Sequence, residues 1–261
     1  WTRAPEVRQN PAYMLAAAWY LLGNGKGDRN MVIVPYSDRL VLLSRYMQQL
    51  VMESLGKELD RDGQTVHQGL TVYGNKGGTD AHAFIQQLND GRNDFFITFI
   101  EILRDAAAYE AEDNLMMGEY LHNFLQGLSN ALADKGRSVL SITLDELNEE
   151  GLGMILALYE RAVAFYAELI HINAFHQPGV EAYKKISGEI NDLALTLQTF
   201  IAGNGGFSGD AAAIAAAAGA ADKASEVGGI LAKYWANDRA FGGKSLRRTL
   251  EDGRWCYTVS A

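Results

Sequence analysis

The chain has 261 residues, 48% of them hydrophobic, so it can bury one large core or two smaller ones. No apolar run approaches the roughly 18 or more residues of a membrane span, and no basic start followed by an apolar stretch indicates a signal peptide. A formal net charge of −9 without a Lys/Arg stripe argues against nucleic-acid binding. The single cysteine, Cys256, cannot form an internal disulfide, which is consistent with a reducing compartment. Together, these features lead us to expect a cytoplasmic protein without nucleic-acid or membrane partners.

The first predicted element is a helix. Asn10 can cap it, Pro11 suits its first position, and its apolar run to Leu22 stops at Gly23. The "GNGKG" sequence of residues 23–27 then predicts a turn. It does not indicate a nucleotide cradle, because the next strand follows these glycines instead of preceding them.

Strands then alternate with helices. Residues 31–36, "MVIVPY", are an uninterrupted apolar run, which predicts a strand buried on both faces. Helical spacing of apolar residues from Ser37 predicts a helix that ends at Gly56, and residues 70–73, "LTVY", predict a second strand.

The alternation continues through two more strands, "FFITFIEIL" at residues 95–103 and "VLSITLDEL" at residues 139–147. Between them, residues 118–136, "GEYLHNFLQGLSNALADKG", predict a helix that ends at its last glycine. This order indicates a mainly parallel sheet with helices on both faces. The predicted fold is therefore α/β, a three-layer αβα sandwich.

From Glu149 the sequence predicts successive helices, interrupted by "QPG" at residues 177–179. An alanine-rich stretch, residues 209–235, favours further helix because alanine is the best helix former. We therefore expect an α/β domain over residues 1–175 and a helical tail over residues 176–261, packed on the same domain.

The stretch "VYGNKGGTDAHAF", residues 72–84, ends a strand, turns through glycines and begins a helix. Thr79 or Asp80 can cap that helix, and the glycines would let the backbone approach a ligand. His82 would lie in the first turn, where the helix dipole disfavours an imidazolium and leaves a ring that can take or give a proton. The alternative is a capped surface helix with an incidental histidine.

Gln49 and Glu53 are one helical turn apart near the predicted helix end at Gly56. The dipole at that end opposes a carboxylate, which suits a general base. The alternative is a solvent-exposed ion pair between Glu53 and Lys57, four residues apart.

Gln177 precedes a helix begun by Pro178, and Lys184 lies within that helix's first two turns, where a cation is either solvated or functional. His171 and His176 are five residues apart across a helix break, which is poor geometry for a metal pair. We therefore predict no metal site. No GxSxG elbow indicates a serine nucleophile either.

In their order and wording, four segments together resemble the glucose-6-phosphate isomerase family, in its bacterial and plastid form. They are "MQQLVMESLGK", "GLTVYGNKGGTDAHAFIQQL", "ALYERAV" and "NAFHQPGVEAYKK". The resemblance extends from about Asn10 to Lys185 and continues more faintly to Arg239.

The resemblance implies a sugar isomerase (SIS-type) domain of an enzyme of glycolysis and gluconeogenesis. That enzyme interconverts glucose 6-phosphate and fructose 6-phosphate through a cis-enediol, without a cofactor. By motif, Glu53 matches the base that moves a proton between C1 and C2. His82 and Lys184 match residues that assist ring opening and contact sugar oxygens, and Gln49 and Gln177 match glutamines that line the site. The family forms homodimers in which the histidine, here His82, is donated to the neighbouring subunit.

The sequence also departs from the family pattern. Tyr183 occupies a position that is usually glycine, and Ala81 one that is commonly glutamine, so the pocket's shape is open to change. The family's upstream domain, with its Ser/Thr phosphate loop and a "GGR" arginine, has no counterpart here. We therefore expect the chain to resemble the C-terminal half of such an enzyme and to be inactive alone.

Two alternatives stay open. One is a noncatalytic module that binds sugar phosphates with the same fold, and the other is a single-domain isomerase of different specificity in a symmetric oligomer. The joint presence of Glu53, His82 and Lys184 favours an enzyme, because a binding module needs no base.

Overall fold

The computed structural model describes residues 2–112 and 114–260. The chain forms two compact units, Trp1–Gln177 and Pro178–Ala261, and each is described by itself. Over the described residues, no helix combines the length and apolar character needed to cross a lipid bilayer.

The first unit is built on a parallel four-stranded sheet. In chain order, the helices and strands of this unit are α1 Pro11–Leu22, β1 Asn30–Pro35, α2 Leu43–Leu55, β2 Lys57–Leu59, β3 Thr65–Gln68, β4 Val72–Tyr73, α3 Ile85–Asp90, β5 Phe95–Ile102, β6 Glu110–Glu112, β7 Leu115–Met116, α4 Met117–Asp134, β8 Ser138–Leu144 and α5 Glu149–Leu169. The sheet order is β4-β1-β5-β8, and all three pairings are parallel. Two short hairpins, β2-β3 and β6-β7, lie outside this sheet.

The two central strands are buried on both faces because neighbouring side chains enter different cores. Met31 and Ile33 of β1 belong to a core formed with α1, α2 and α5. Val32 and Val34 belong to a second core with α3 and α4. This arrangement confirms the predicted α/β sandwich and explains why both strands lack polar alternation.

The start of α1 and the end of α2 follow the predicted signals. The Asn10 side chain caps α1 by accepting hydrogen bonds from the backbone N–H groups of Ala12 and Tyr13, at 3.1 and 3.2 Å. Helix α2 ends at Leu55, directly before Gly56 as predicted, but it begins only at Leu43.

The helix predicted around His82 is not formed as expected. Thr79–Ala83 make a five-residue 3-10 turn, and a separate short helix, α3, follows from Ile85. No side chain caps this short 3-10 helix, and His82 lies in the last turn of the helix. The argument from a helix N-terminus at His82 therefore has no structural basis.

The second unit is more than a helical tail. Its elements are α6 Pro178–Gly203, β9 Ser208–Asp210, α7 Ala211–Ala217, α8 Ala224–Ala236, β10 Ala240–Phe241, β11 Lys244–Glu251 and β12 Arg254–Val259. The predicted helices are present, but β9 to β12 form an antiparallel sheet, in the order β10-β11-β12-β9, that the helical-tail prediction lacked. Leu197, Ile214 and Leu231 belong to a separate core of this unit.

The missed hairpin has a recognisable sequence signal. Asp252 and Gly253 connect β11 to β12 with positive φ angles of 48° and 76°. An Asp-Gly pair flanked by alternating polar and apolar residues is typical of a two-residue hairpin. The helical-tail prediction rests on the alanine-rich stretch before this hairpin, because alanine has a high helix propensity.

Candidate active site

The carboxyl-terminal end of α2 carries the first candidate group. Gln49 Nε2 donates a hydrogen bond to Glu53 Oε2 at 3.1 Å, so the two side chains lie on one face, one turn apart, as predicted. Both border a shallow depression of about 250 Å³, lined by Tyr46, Gln49, Leu50, Glu53 and Ser54. Glu53 is half-buried and Gln49 is exposed, so the carboxylate is accessible and held in place by the amide.

Lys57 does not form the surface ion pair that the spacing allowed. It is only 4% exposed, and its ammonium donates to the backbone carbonyls of Glu53 and Ser54 at 3.2 and 2.6 Å. Burial lowers the pKa of Lys57, and the charge of Glu53 partly opposes this effect. Lys57 thus satisfies the last carbonyls of α2, where the helix dipole favours a cation.

The glycines of the turn before His82 pack against β1. A Cβ on Gly74, whose φ is 152°, would lie 2.0 Å from the carbonyl oxygen of Ile33. A Cβ on Gly77 would lie 2.4 Å from the ring of Tyr36. These glycines therefore serve close packing of the loop on the sheet, where the sequence suggested an approach to a ligand.

His82 itself is exposed, and it makes no hydrogen bond to Gln49 or Glu53. A cleft of about 500 Å³ lies beside its turn, lined by Val41, Leu42, Ser44, Arg45, Asn75, Lys76, Thr79, Asp80 and Ala83. Lys76 forms an ion pair with Asp38 there. Neither Arg45 nor Lys76 is among the residues predicted for the site, although Lys76 lies within a segment that carries the family resemblance.

Gln177 is the exposed last residue of the first unit. Lys184 lies in the second turn of α6, in the second unit, and is also exposed. Its neighbour Tyr183 is 69% exposed, so the bulky ring at this position is not taken up in the unit's core.

The two histidines considered for a metal have separate partners. His171 Nε2 lies 3.0 Å from a carboxylate oxygen of Asp62, and His176 Nδ1 lies 3.1 Å from the carbonyl oxygen of Asn173. Across residues 2–112 and 114–260, the structure contains no group of three or more His, Cys, Asp or Glu side chains placed to hold a metal ion.

Comparison with known proteins gives a consistent result. The family profile described as phosphoglucose isomerase matches residues 3–203. A glucose-6-phosphate isomerase of Gloeothece citriformis is 48% identical over 240 residues, which cover 91% of this chain and 45% of that protein. The glucose-6-phosphate isomerase 1, chloroplastic, of Arabidopsis thaliana is 55% identical over 192 residues, covering 72% of this chain and 31% of that protein.

Among solved structures, a glucose-6-phosphate isomerase from Chlamydia trachomatis shares the fold with a TM-score of 0.66 at 24% identity. That match covers 74% of this chain and 40% of the other. The chain spans less than half the length of the curated relatives that it matches.

Proposed function

Because this chain belongs to the phosphoglucose isomerase family, we propose that it supplies the general base for interconverting glucose 6-phosphate and fructose 6-phosphate. The observation that carries the proposal is the accessible Glu53 carboxylate, held by Gln49 at 3.1 Å at the end of α2. An enzyme that moves a proton between adjacent carbons needs such a base, whereas a binding module does not.

The proposed reaction runs through a cis-enediol. Glu53 Oε1 accepts the proton from C2 of the open-chain aldose, and the C1 carbonyl oxygen takes a proton from solvent water and becomes a hydroxyl. The protonated Glu53 then returns its proton to C1, while the C2 hydroxyl releases its proton to solvent water and becomes the ketone. Gln49 occupies only Oε2, so Oε1 stays available for the substrate proton.

Three further residues have proposed roles by their match to family motifs. His82 assists ring opening, Lys184 contacts sugar oxygens and Gln177 lines the site. All three side chains are exposed, which supports roles in contacts made with substrate.

We propose a homodimer in which His82 is donated to the neighbouring subunit's site. Its support is that His82 is solvent-exposed and makes no hydrogen bond to the Glu53 pair of its own chain. A histidine placed outward in this way is available to a second subunit.

We further propose that the complete enzyme acts in cytoplasmic glycolysis and gluconeogenesis and includes an upstream domain. That domain would bind the substrate phosphate and place an arginine near the enediolate. The support is that the matched relatives are more than twice as long as the aligned part of this chain.

The test is Glu53→Gln in the complete enzyme, with Glu58→Gln, an exposed glutamate on β2, as the matched control. The Glu53 variant should keep substrate binding and lose turnover by roughly 10² to 10⁴, the usual contribution of a general base. The control should be unchanged. Near-normal proton exchange at C2 in Glu53→Gln would refute the base assignment, because a group other than Glu53 would then be moving the proton.

A further inference from the structure

The second unit contains a stacked cluster of one arginine and two tryptophans at one end of its sheet. Arg248 lies on β11 and Trp255 on β12, where Trp255 pairs with Leu250. Side chains alternate along a strand, so Arg248 and Trp255 share the face that carries buried Tyr257. Trp235, near the end of α8, completes the cluster.

The guanidinium of Arg248 is sandwiched between both indoles. Its central carbon lies 3.8 Å from the ring centroid of Trp235 and 3.9 Å from that of Trp255. At these distances the guanidinium must lie over the ring faces, since an edge-on contact would be longer. Cation–π attraction therefore fixes its position from both sides.

Over residues 2–112 and 114–260, this cation has no anionic partner. Arg248 Nε is buried without a hydrogen-bond partner, and the part of the chain that the structure describes contains no carboxylate in ion-pair contact with the guanidinium. By contrast, Arg254 of the same hairpin lies 3.6 Å from Asp210. A partly buried charge without a counter-charge is unfavourable unless an anion pairs and hydrogen-bonds with it.

The acidic residue of β11, Glu251, does not supply that counter-charge. Glu251 and Thr249 lie on the opposite face from Arg248 by strand alternation, and Thr249 Oγ1 donates to Glu251 Oε1 at 2.8 Å. The indoles cover the guanidinium faces, so a partner can approach only along the edge. The N–H groups at the edge of the Arg248 guanidinium form a fork that fits two oxygens of a carboxylate or phosphate.

We propose that the edge of Arg248, between Trp235 and Trp255, is a binding site for a small oxyanion, a phosphate or a carboxylate. The tryptophans are 37% and 48% exposed, so the cluster is reachable from solvent. Their apolar rings exclude water from the guanidinium faces and strengthen charge-assisted hydrogen bonds made at its edge. This site lies in the second unit and does not depend on the proposed isomerase activity.

The experiment is a titration of the full 261-residue chain, followed by tryptophan fluorescence. Inorganic phosphate and sodium acetate are added separately at constant ionic strength, with sodium chloride as the salt control. A saturable change with phosphate or acetate, absent with chloride, is the expected result, and the stronger response identifies the preferred oxyanion. No saturable change, or an equal change with chloride, would overturn the proposal and leave a purely structural clamp.

Variants at Arg248 and Arg247 test whether the fluorescence response comes from oxyanion binding at Arg248. Arg248→Lys keeps the charge but loses the fork, so binding should weaken roughly ten-fold or more, as expected when charge-assisted hydrogen bonds are lost. Arg248→Met should abolish it, and Arg247→Met, an exposed arginine on the opposite face, should bind normally. If Arg248→Met does not fold, a comparison of oxyanion binding by Arg248→Lys and Arg247→Met still tests the assignment to Arg248. Equal binding by those two variants would refute the assignment to Arg248.

Discussion

Glu53 and Lys57 are four residues apart, yet their side chains have different surroundings. The Glu53 carboxylate is half-buried beside Gln49, whereas the Lys57 ammonium is buried against backbone carbonyls at the end of α2. Because Lys57 binds carbonyls and not the carboxylate, Glu53 keeps an oxygen for a substrate proton. At the scale of single residues, sequence spacing identifies a possible ion pair, and burial decides whether that ion pair forms.

Tyr166 gives a prediction at the residue scale. Its hydroxyl is buried without a hydrogen-bond partner, and burial raises its pKa to about 12. Removing an unpaired buried hydroxyl should not destabilise the protein, so Tyr166→Phe should raise the free energy of unfolding at pH 8 by about 1 kcal/mol. Urea unfolding measures this difference.

The pH dependence of the same variant has a defined sign. A raised folded-state pKa means that the unfolded tyrosine loses its proton first, so ionisation of Tyr166 leaves wild-type stability unchanged below about pH 10 and lowers it as the pH rises toward 12. Stability of Tyr166→Phe should therefore fall less steeply above about pH 10. Tyr109→Phe, at a tyrosine 69% exposed, should follow the wild type. A clear loss of stability at pH 8 in Tyr166→Phe would show that its hydroxyl has a partner.

Helix α1 depends on a polar side chain at its N-terminal end. Helix α1 packs on α5 through Tyr13 against Phe165, with ring centroids 4.1 Å apart, and through Trp19 against Tyr159 at 5.7 Å. These contacts need the correct helix start, which Asn10 fixes. The cap therefore positions part of the core that supports the parallel sheet.

Asn10→Ala tests the cap at the scale of the element. Asn10 is 1% exposed, accepts from two backbone N–H groups, and donates through Nδ2 to the carbonyls of Thr2 and Ala4 at 3.1 and 2.9 Å. Its replacement by alanine should lower the free energy of unfolding by about 1 to 2 kcal/mol. Asn10→Asp keeps the acceptor and should lose less. Thermal unfolding that ranks alanine equal to wild type would contradict this role.

At the scale of the whole molecule, the proposed site residues are more exposed than a complete active site requires. Gln49, His82, Gln177 and Lys184 are all exposed in the single chain. Catalysis needs a site that excludes water and holds the substrate in place. Exposure of this kind is expected if a partner subunit and an upstream domain complete the site.

Shared sites can be tested by mixing inactive subunits of the complete enzyme. A His82→Ala subunit paired with a Glu53→Gln subunit should regain partial isomerase activity, because one site then combines an intact base with an intact histidine. The matched control pairs Glu53→Gln with the double variant, which leaves no intact site. Absence of recovery despite demonstrated subunit exchange would argue against a shared site.

The 261-residue chain alone should be almost inactive. The proposed upstream domain would supply the phosphate contacts that hold the reacting carbons over Glu53 and the arginine that stabilises the enediolate, so we expect the chain alone to lack both contributions. Supplying the upstream domain, in trans or as one polypeptide, should produce glucose 6-phosphate from fructose 6-phosphate in a coupled assay. The same domain with the Glu53→Gln chain is the control. Turnover by the chain alone at rates of whole enzymes would instead support a single-domain isomerase.

The sequence by itself determined the features that depend on near neighbours. The apolar runs of β1 and β5, the Asn10 cap and the one-turn spacing of Gln49 and Glu53 follow from local periodicity and were all found as predicted. The family motifs also lie in contiguous segments and were readable without a fold.

Only the tertiary structure decided what surrounds each side chain. The burial of Lys57, the short turn that holds His82 and the stacking of Arg248 between two tryptophans depend on packing, much of it between residues distant in the chain. Even the hairpin of β11 and β12, which has a local turn signal, gains its stability from the core that it covers. Periodicity sets which face of an element is apolar, but burial and partners are set by the elements packed against that face.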